Sequence, residues 1–206
     1  MLVPVLLGAT LLLSGCQPSG PSVIETPGIQ SLEEGTSSLE SDPWVQAARE
    51  SDLGYRLAVN NQDFTIEQYT STRTPAIAIG EFDGWVTQYI EAGAEPIAYP
   101  GPSILLPISV EPNAAGDEAE LTFCNASGRF QLTAGETEPE YSLPNGRLVT
   151  WTMVTSDEGV RVVTIQSNST EECDATGAPV EVFDPLPTVP EKLSLADARP
   201  PVGWSE

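Results

Sequence analysis

Apolar and polar positions change their period several times along the chain. Residues 1–13 read Met-Leu-Val-Pro-Val-Leu-Leu-Gly-Ala-Thr-Leu-Leu-Leu, without a charge. The run is too short to cross a bilayer as a helix, which takes about 20 residues. It has the length of a signal-peptide core. From 17 to 42 the only apolar residues are Val23, Ile24, Ile29, Leu32 and Leu39, set among Pro, Gly, Ser, Thr and Glu. That composition buries too little surface to offset the entropy of ordering, which predicts a flexible tether.

A helical period begins at Ser41-Asp42-Pro43. Asp42 is a good N-cap and Pro43 suits the first turn. Trp44, Ala48, Tyr55 and Val59 form one stripe, with Arg49, Glu50 and Arg56 for the wet side, and Asn60-Asn61 stops the helix. A second, short helix is predicted over 65–72. After Pro75 a third carries Ile77, Ile79, Phe82, Trp85, Val86, Tyr89 and Ile90 at spacings of three, four and seven, with Gly93 as its stop.

The period then changes to two. Residues 104–111 predict a strand in which Pro107 marks an edge or a bulge. Residues 118–124 alternate, with Ala119, Leu121 and Phe123 on one face. Residues 147–155 and 160–167 form a hairpin around Ser156-Asp157-Glu158-Gly159, in which Trp151 and Met153 pair with Val163 and Ile165 on a buried face. Residues 125–146 are expected to wrap as a loop with a short strand near 130–132. The Pro-rich residues 177–206 show no period and are expected to extend as a tail, with Phe183, Leu186 and Leu193 able to tack part of it down. Helices one and three are expected to pack on the concave sheet and leave an open apolar pocket at its wide end, with Tyr55 and Asp52 as its polar groups.

Charge narrows the chemistry. Eight basic against 30 acidic residues give −22, and there is no His. So few Lys and Arg exclude a phosphate-tracking nucleic-acid surface. Without His, Ser-His-Asp and Cys-His catalysis and His-ligated metal sites are excluded. No Gly-rich phosphate loop, EF-hand loop or Gly-x-Ser-x-Gly elbow occurs, so no cofactor and no metal are expected. Glu136, Glu138 and Glu140 read as a solvated loop, with weak divalent-cation attraction as the alternative. Asn125-Ala-Ser127 and Asn168-Ser-Thr170 read as polar loop residues.

The apolar core ends in Leu13-Ser14-Gly15-Cys16. This resembles the signal and lipobox of bacterial lipoproteins. The resemblance implies that Cys16 becomes the first mature residue, carries a thioether-linked diacylglycerol with palmitate-type chains, and anchors the body on the extracytoplasmic side of the cell membrane. The other reading is a buried helix with a structural Cys. With Cys16 set aside, Cys124 and Cys173 remain as an even pair, best read as a disulfide outside the cytoplasm. The alternative is two free buried thiols.

Helix, short helix, amphipathic helix and then antiparallel strands is an order that resembles the NTF2-like α+β cone. It is similar in particular to the NTF2-like lipoproteins of high-GC Gram-positive bacteria. Asp117-Glu118-Ala119-Glu120-Leu121-Thr122-Phe123-Cys124 and Gly159-Val160-Arg161-Val162-Val163 through Cys173 carry that likeness, with Val160 where those proteins have Trp. The chain is thus divided into a signal peptide (1–15), the lipidated Cys16 and tether (16–41), an NTF2-like domain (42–176) and the tail (177–206).

That fold hosts isomerases, dehydratases and plain binding modules. Its enzymes place an acid, a Tyr or a His inside the cone, so the candidates here are Asp52, Tyr55, Tyr69, Asp83 and Tyr89, with Asp52 and Tyr55 sharing a helix face. Two functions are weighed: a non-catalytic module binding a protein or small molecule, and a small-molecule enzyme. A buried, unpaired, ligand-accessible carboxylate would favour the enzyme. The expected partners are the membrane, through the anchor, and an unidentified protein or small-molecule ligand; a homodimer is a further option.

Overall fold

The computed structural model describes residues 24–205. Cys16 and the signal lie outside them. The fold is α+β: three helices precede a four-stranded antiparallel meander, and a separate two-stranded sheet joins the two ends of the described chain. Among the described residues no helix is long and apolar enough to cross a membrane.

Helix α1 (Pro43–Asn61) starts as its sequence dictates. The Asp42 carboxylate accepts from Trp44 N at 2.8 Å, and Gln62 closes the helix in the left-handed region at φ 52°. Helix α2 (Glu67–Thr70) is a single turn, and α3 (Pro75–Trp85) runs on into a π-helical turn over Val86–Glu91 before Gly93 at φ 65°. Gly54 lets α1 and α2 touch, since a Cβ there would lie 2.2 Å from the Gln68 carbonyl oxygen.

The meander runs β2 (Leu105–Pro112), β3 (Glu118–Asn125), β4 (Gly146–Thr155) and β5 (Arg161–Cys173), in spatial order. Pro107 lies on an edge strand and next to a bulge, where the N–H that proline lacks is not needed by the ladder. A second bulge, between the Thr152–Ile165 and Met153–Val163 pairs, shifts the expected pairing of β4 and β5. Trp151, Met153 and Val163 stay buried, but the extra residue turns Ile165 to the other face, where it is 57% exposed. The segment over 130–132 contributes one bridge, Ala98 to Leu132, with Phe130 and Leu132 buried.

Three cores result. Trp44, Val45 and Ala48 of α1 pack with Leu121, Phe123, Trp151 and Met153 on the sheet. Phe64, Tyr69, Phe82, Trp85 and Phe183 form a second, helical core. This corrects the expectation for the third helix: its aromatic face packs on α1, α2 and the C-terminal segment rather than on the sheet. The rings find each other there, with Phe64 and Phe82 edge-on at 4.9 Å. The third core, with Ile104, Phe130, Val180 and Val182, surrounds Cys124.

Cys124 and Cys173 form the disulfide, with Cα atoms 5.8 Å apart. They sit on β3 and β5, which flank β4. The bridge passes over the first residue of β4, Gly146, where a Cβ would lie 2.4 Å from Cys124 Sγ and 3.1 Å from Cys173 Sγ. A strand residue with no side chain is what lets two non-neighbouring strands be joined.

Both ends differ from the sequence expectation. The segment read as a tether is docked from Ile24 onward: Gln68 Nε2 donates to the Ile24 carbonyl at 2.8 Å, β1 (Gly28–Glu33) pairs with β6 (Val180–Asp184), and Ser37–Ser41 lies against α1 and β2. The tail carries β6 and continues packed. Leu193 and Ala198 are buried, Arg199 N donates to the Gln62 carbonyl, and Phe64 N donates back to the Arg199 carbonyl. Backbone pairing and single side chains, not periodic faces, hold these ends, so no period announces them. The prolines of the tail also have less chain entropy to lose.

Truncating Trp151, 7% exposed and edge-on to Phe123 at 5.5 Å, tests the sheet core. Trp151→Ala is expected to lower stability by about 3–5 kcal/mol in urea unfolding. An unchanged midpoint would mean that the indole does not pack on α1.

Candidate functional site

Asp52 is 5% exposed, on the side of α1 that meets the segment leading into β2. Its Oδ2 accepts from Ser103 N at 2.6 Å and its Oδ1 from Ser103 Oγ at 2.6 Å, while Arg56 Nε stands 3.4 Å from Oδ1. The Arg56 guanidinium also donates to Ser103 Oγ and stacks 3.8 Å over the Tyr99 ring. Asn60 completes the seam, exchanging two hydrogen bonds with the Tyr99 backbone at 2.9 and 2.8 Å. Arg56 is thus largely buried rather than on the wet side: burial opposes its charge, but Asp52, with Tyr99 and Tyr55, more than offsets this and raises its pKa.

Tyr55 lies between this seam, with the Arg56 guanidinium 5.7 Å from its ring, and a second buried cluster. Its ring lies 6.5 Å from Tyr69 and 6.2 Å from Tyr99, with the guanidinium of Arg73 at 5.6 Å. Arg73 is itself buried. It reaches Glu81 on α3 at 2.5 Å and the carbonyl and hydroxyl of Ser51 at 2.6 and 2.9 Å, and lies 4.6 Å over the Tyr69 ring. Tyr69 donates to the Ala78 carbonyl at 3.0 Å. Burial, chiefly, pushes the Tyr55 and Tyr69 hydroxyls far above the usual tyrosine range. Tyr89, in the helical core, is pushed up to about 12 by burial and then by Tyr99.

The five sequence candidates therefore do not converge. The cavity beside Asp52, about 380 Å³, is lined by Glu34, Glu40, Arg49, Glu50 and Ser103 as well as Asp52, but not by Tyr55. It is a groove of mixed lining, with Ile29, Leu53 and Leu105 beside those polar groups, not the expected apolar mouth, because the aromatic faces that would have lined such a mouth are consumed in the helical core. Asp83 is a surface group that accepts from Trp204 Nε1 at 2.6 Å. Asp52 is buried, yet it is paired. A carboxylate with both oxygens accepting and a guanidinium alongside is placed to fasten α1 to the chain before β2. Sequence reasoning missed Ser103, Tyr99 and Arg73. Only the Asp52–Arg56 spacing of four residues could have signalled the pair.

Asn125 and Glu136 have local roles. Asn125 Oδ1 accepts from Ser127 N at 2.8 Å, and Glu136 Oε2 from Thr133 N at 2.6 Å. Among the described residues no group of three or more His, Cys, Asp or Glu side chains is placed to hold a metal ion. Comparisons with protein-family models, curated proteins and solved structures find no match to this chain.

Asp52→Ala leaves the Arg56 guanidinium buried without its counter-charge and Ser103 N without an acceptor. A loss of about 3–5 kcal/mol is expected in urea unfolding, against about 1–3 kcal/mol for Asp52→Asn, which keeps one acceptor. A loss below about 0.5 kcal/mol for both, the ordinary surface value, would remove the clamp.

The buried tyrosines fix an alkaline limit. Each stays neutral in the folded chain at a pH where the unfolded chain ionises it, near 10. The folded state then binds more protons, and stability falls as pH rises from about 10 to about 12 and beyond. In a titration followed at 295 nm, Tyr55 and Tyr69 should ionise only together with the loss of far-ultraviolet circular dichroism, and Tyr89 not before about pH 12.

Proposed function

We propose that the protein is a lipoprotein anchored by Cys16 on the extracytoplasmic side of the cell membrane, and that its body is a non-catalytic binding module on an NTF2-like cone. Leu13-Ser14-Gly15-Cys16 after an uncharged apolar run is the feature behind the anchor. The Cys124–Cys173 disulfide suits a body that lives in an oxidising compartment. Three helices ahead of a bulged four-stranded meander support the cone.

One observation carries the choice of binding over catalysis: the best acid on the helix, Asp52, is held by Ser103 and Arg56. A general base needs a lone pair within reach of a substrate proton. Here both oxygens accept from within the fold. That carboxylate was the best of the candidates for the small-molecule enzyme reading.

Cys16→Ala in the native bacterium tests the anchor. The variant should remain uncleaved by lipoprotein signal peptidase, take up no fatty-acid analogue and lose the hydrophobic retention that two acyl chains provide. Fatty-acid labelling that persists in the variant would overturn the lipobox reading.

A further inference from the structure

The chain holds 30 carboxylates and eight cations, yet one cavity gathers two of the cations with no carboxylate in its lining. Of about 480 Å³, it is lined by Ala126, Gly128, Arg129, Ser142, Asn145 and Arg147. The other three described cavities each have Glu in their walls.

Four polar side chains face this space from two segments. Arg129 follows the end of β3, on the turn Ser127–Arg129, and Arg147 is the second residue of β4. Both segments are fixed near the disulfide: Asn125 pairs with Arg147, and Gly146 carries the crosslink over it. Ser142 and Asn145 form a closed turn, with Asn145 Nδ2 donating to Ser142 Oγ at 2.7 Å. Arg129 is exposed and makes no side-chain hydrogen bond or ion pair among the described residues. Arg147 donates to the Thr170 carbonyl and stands 3.4 Å from Glu172, whose side chain is 82% exposed. An ion pair that open to water contributes little and is readily exchanged. On its far side Arg129 borders a smaller cavity that includes Glu136 and Glu140.

We infer that this cavity binds a small phosphate-bearing ligand through Arg129 and Arg147. Two guanidiniums match a doubly charged oxyanion, and each presents a planar fork of N–H donors to its oxygens. The Asn145 amide and Ser142 hydroxyl line the same space and add hydrogen-bond donors for further oxygens of the group. This site is separate from the Asp52 seam and independent of the lipid anchor. Its ligand is the phosphate group itself, carried on a soluble molecule or on a lipid headgroup.

The test uses the full chain in detergent, labelled with ¹⁵N and titrated with inorganic phosphate at constant ionic strength, because the −22 body repels anions and that repulsion varies with salt. Saturable shifts are expected at Gly128, Arg129, Asn145 and Arg147. Arg129→Gln and Arg147→Gln should each weaken binding about tenfold or more and leave the melting temperature unchanged. Glu172→Gln, which releases Arg147, should tighten it several-fold, a response that a merely structural arginine would not give. No saturable shift at tens of millimolar phosphate, or identical shifts in Arg129→Gln, overturns the proposal. Water-soluble dibutanoyl phosphatidic acid, a phosphomonoester like the inorganic ion, titrated in place of inorganic phosphate identifies the source: the same residues shifting at a tenfold or more lower concentration assigns a lipid headgroup, and no gain over inorganic phosphate assigns a soluble ligand.

Discussion

Helix α1 is buried against two different cores, and the rest of the molecule is arranged around that constraint. Its first turns lie on the sheet through Trp44, Val45 and Ala48, and its last turns lie among Leu57, Ala58 and Val59 in the helical core. Between the two, Ser51, Asp52 and Arg56 are inside or nearly so. A helix covered on so much of its circumference has little water to satisfy its polar groups, and an unpaired buried polar group is costly. Ser103 and Tyr99 on one side, with Arg73 and Glu81 on the other, are the partners that make this placement tolerable. The groups that first invite a catalytic reading are therefore those the fold itself requires.

The second constraint is covalent. β3 and β5 are held together across the start of β4, and the glycine at that crossing is dictated by the sulfur atoms above it. The 49-residue separation encloses the whole β4–β5 hairpin, and closing a loop of about 50 residues removes roughly 4 kcal/mol of entropy from the unfolded chain. The same crosslink sets the ends of β3 and β4 that carry Arg129 and Arg147.

The helices and the meander were legible because each carries its own period. Asp42-Pro43 starts α1, Pro75 starts α3, and alternation exposes β3. The crosslink was expected from cysteine parity with Cys16 set aside. Contacts without a local period were not legible. The bulge that turns Ile165 outward is one residue of register, which alternation in a single strand does not encode. The choice of the helical core over the sheet by Phe82 and Trp85 is a competition between two apolar surfaces, and their stripe looks the same in either case. Asp52 was read as a polar group of an open pocket or a solvated helix residue, and neither reading foresaw its burial, because its partner Ser103 lies 51 residues away, in a segment with no pattern.

The same reasoning changes what an anchor at Cys16 would do. A tether of 16–41 as a coil would reach roughly 25–30 Å root-mean-square. The described chain is already fastened at Ile24 by Gln68 and then by the β1–β6 ladder. The spacer left between Cys16 and the body is residues 17–23, seven residues, which extend to at most about 25 Å. On the anchored reading the acidic body is therefore held close to the bilayer, though far enough for salt to screen much of its repulsion from anionic headgroups, since the screening length is about 8 Å in physiological salt. All six residues of β1 are exposed and are held chiefly by the ladder to β6. Freeing that strand would lengthen the spacer only at the cost of the β1–β6 ladder, whose hydrogen bonds contribute about 0.5–1.5 kcal/mol each, and of the contact Ile24 makes with the helical core, whereas the body behind it depends on α1 and the crosslink.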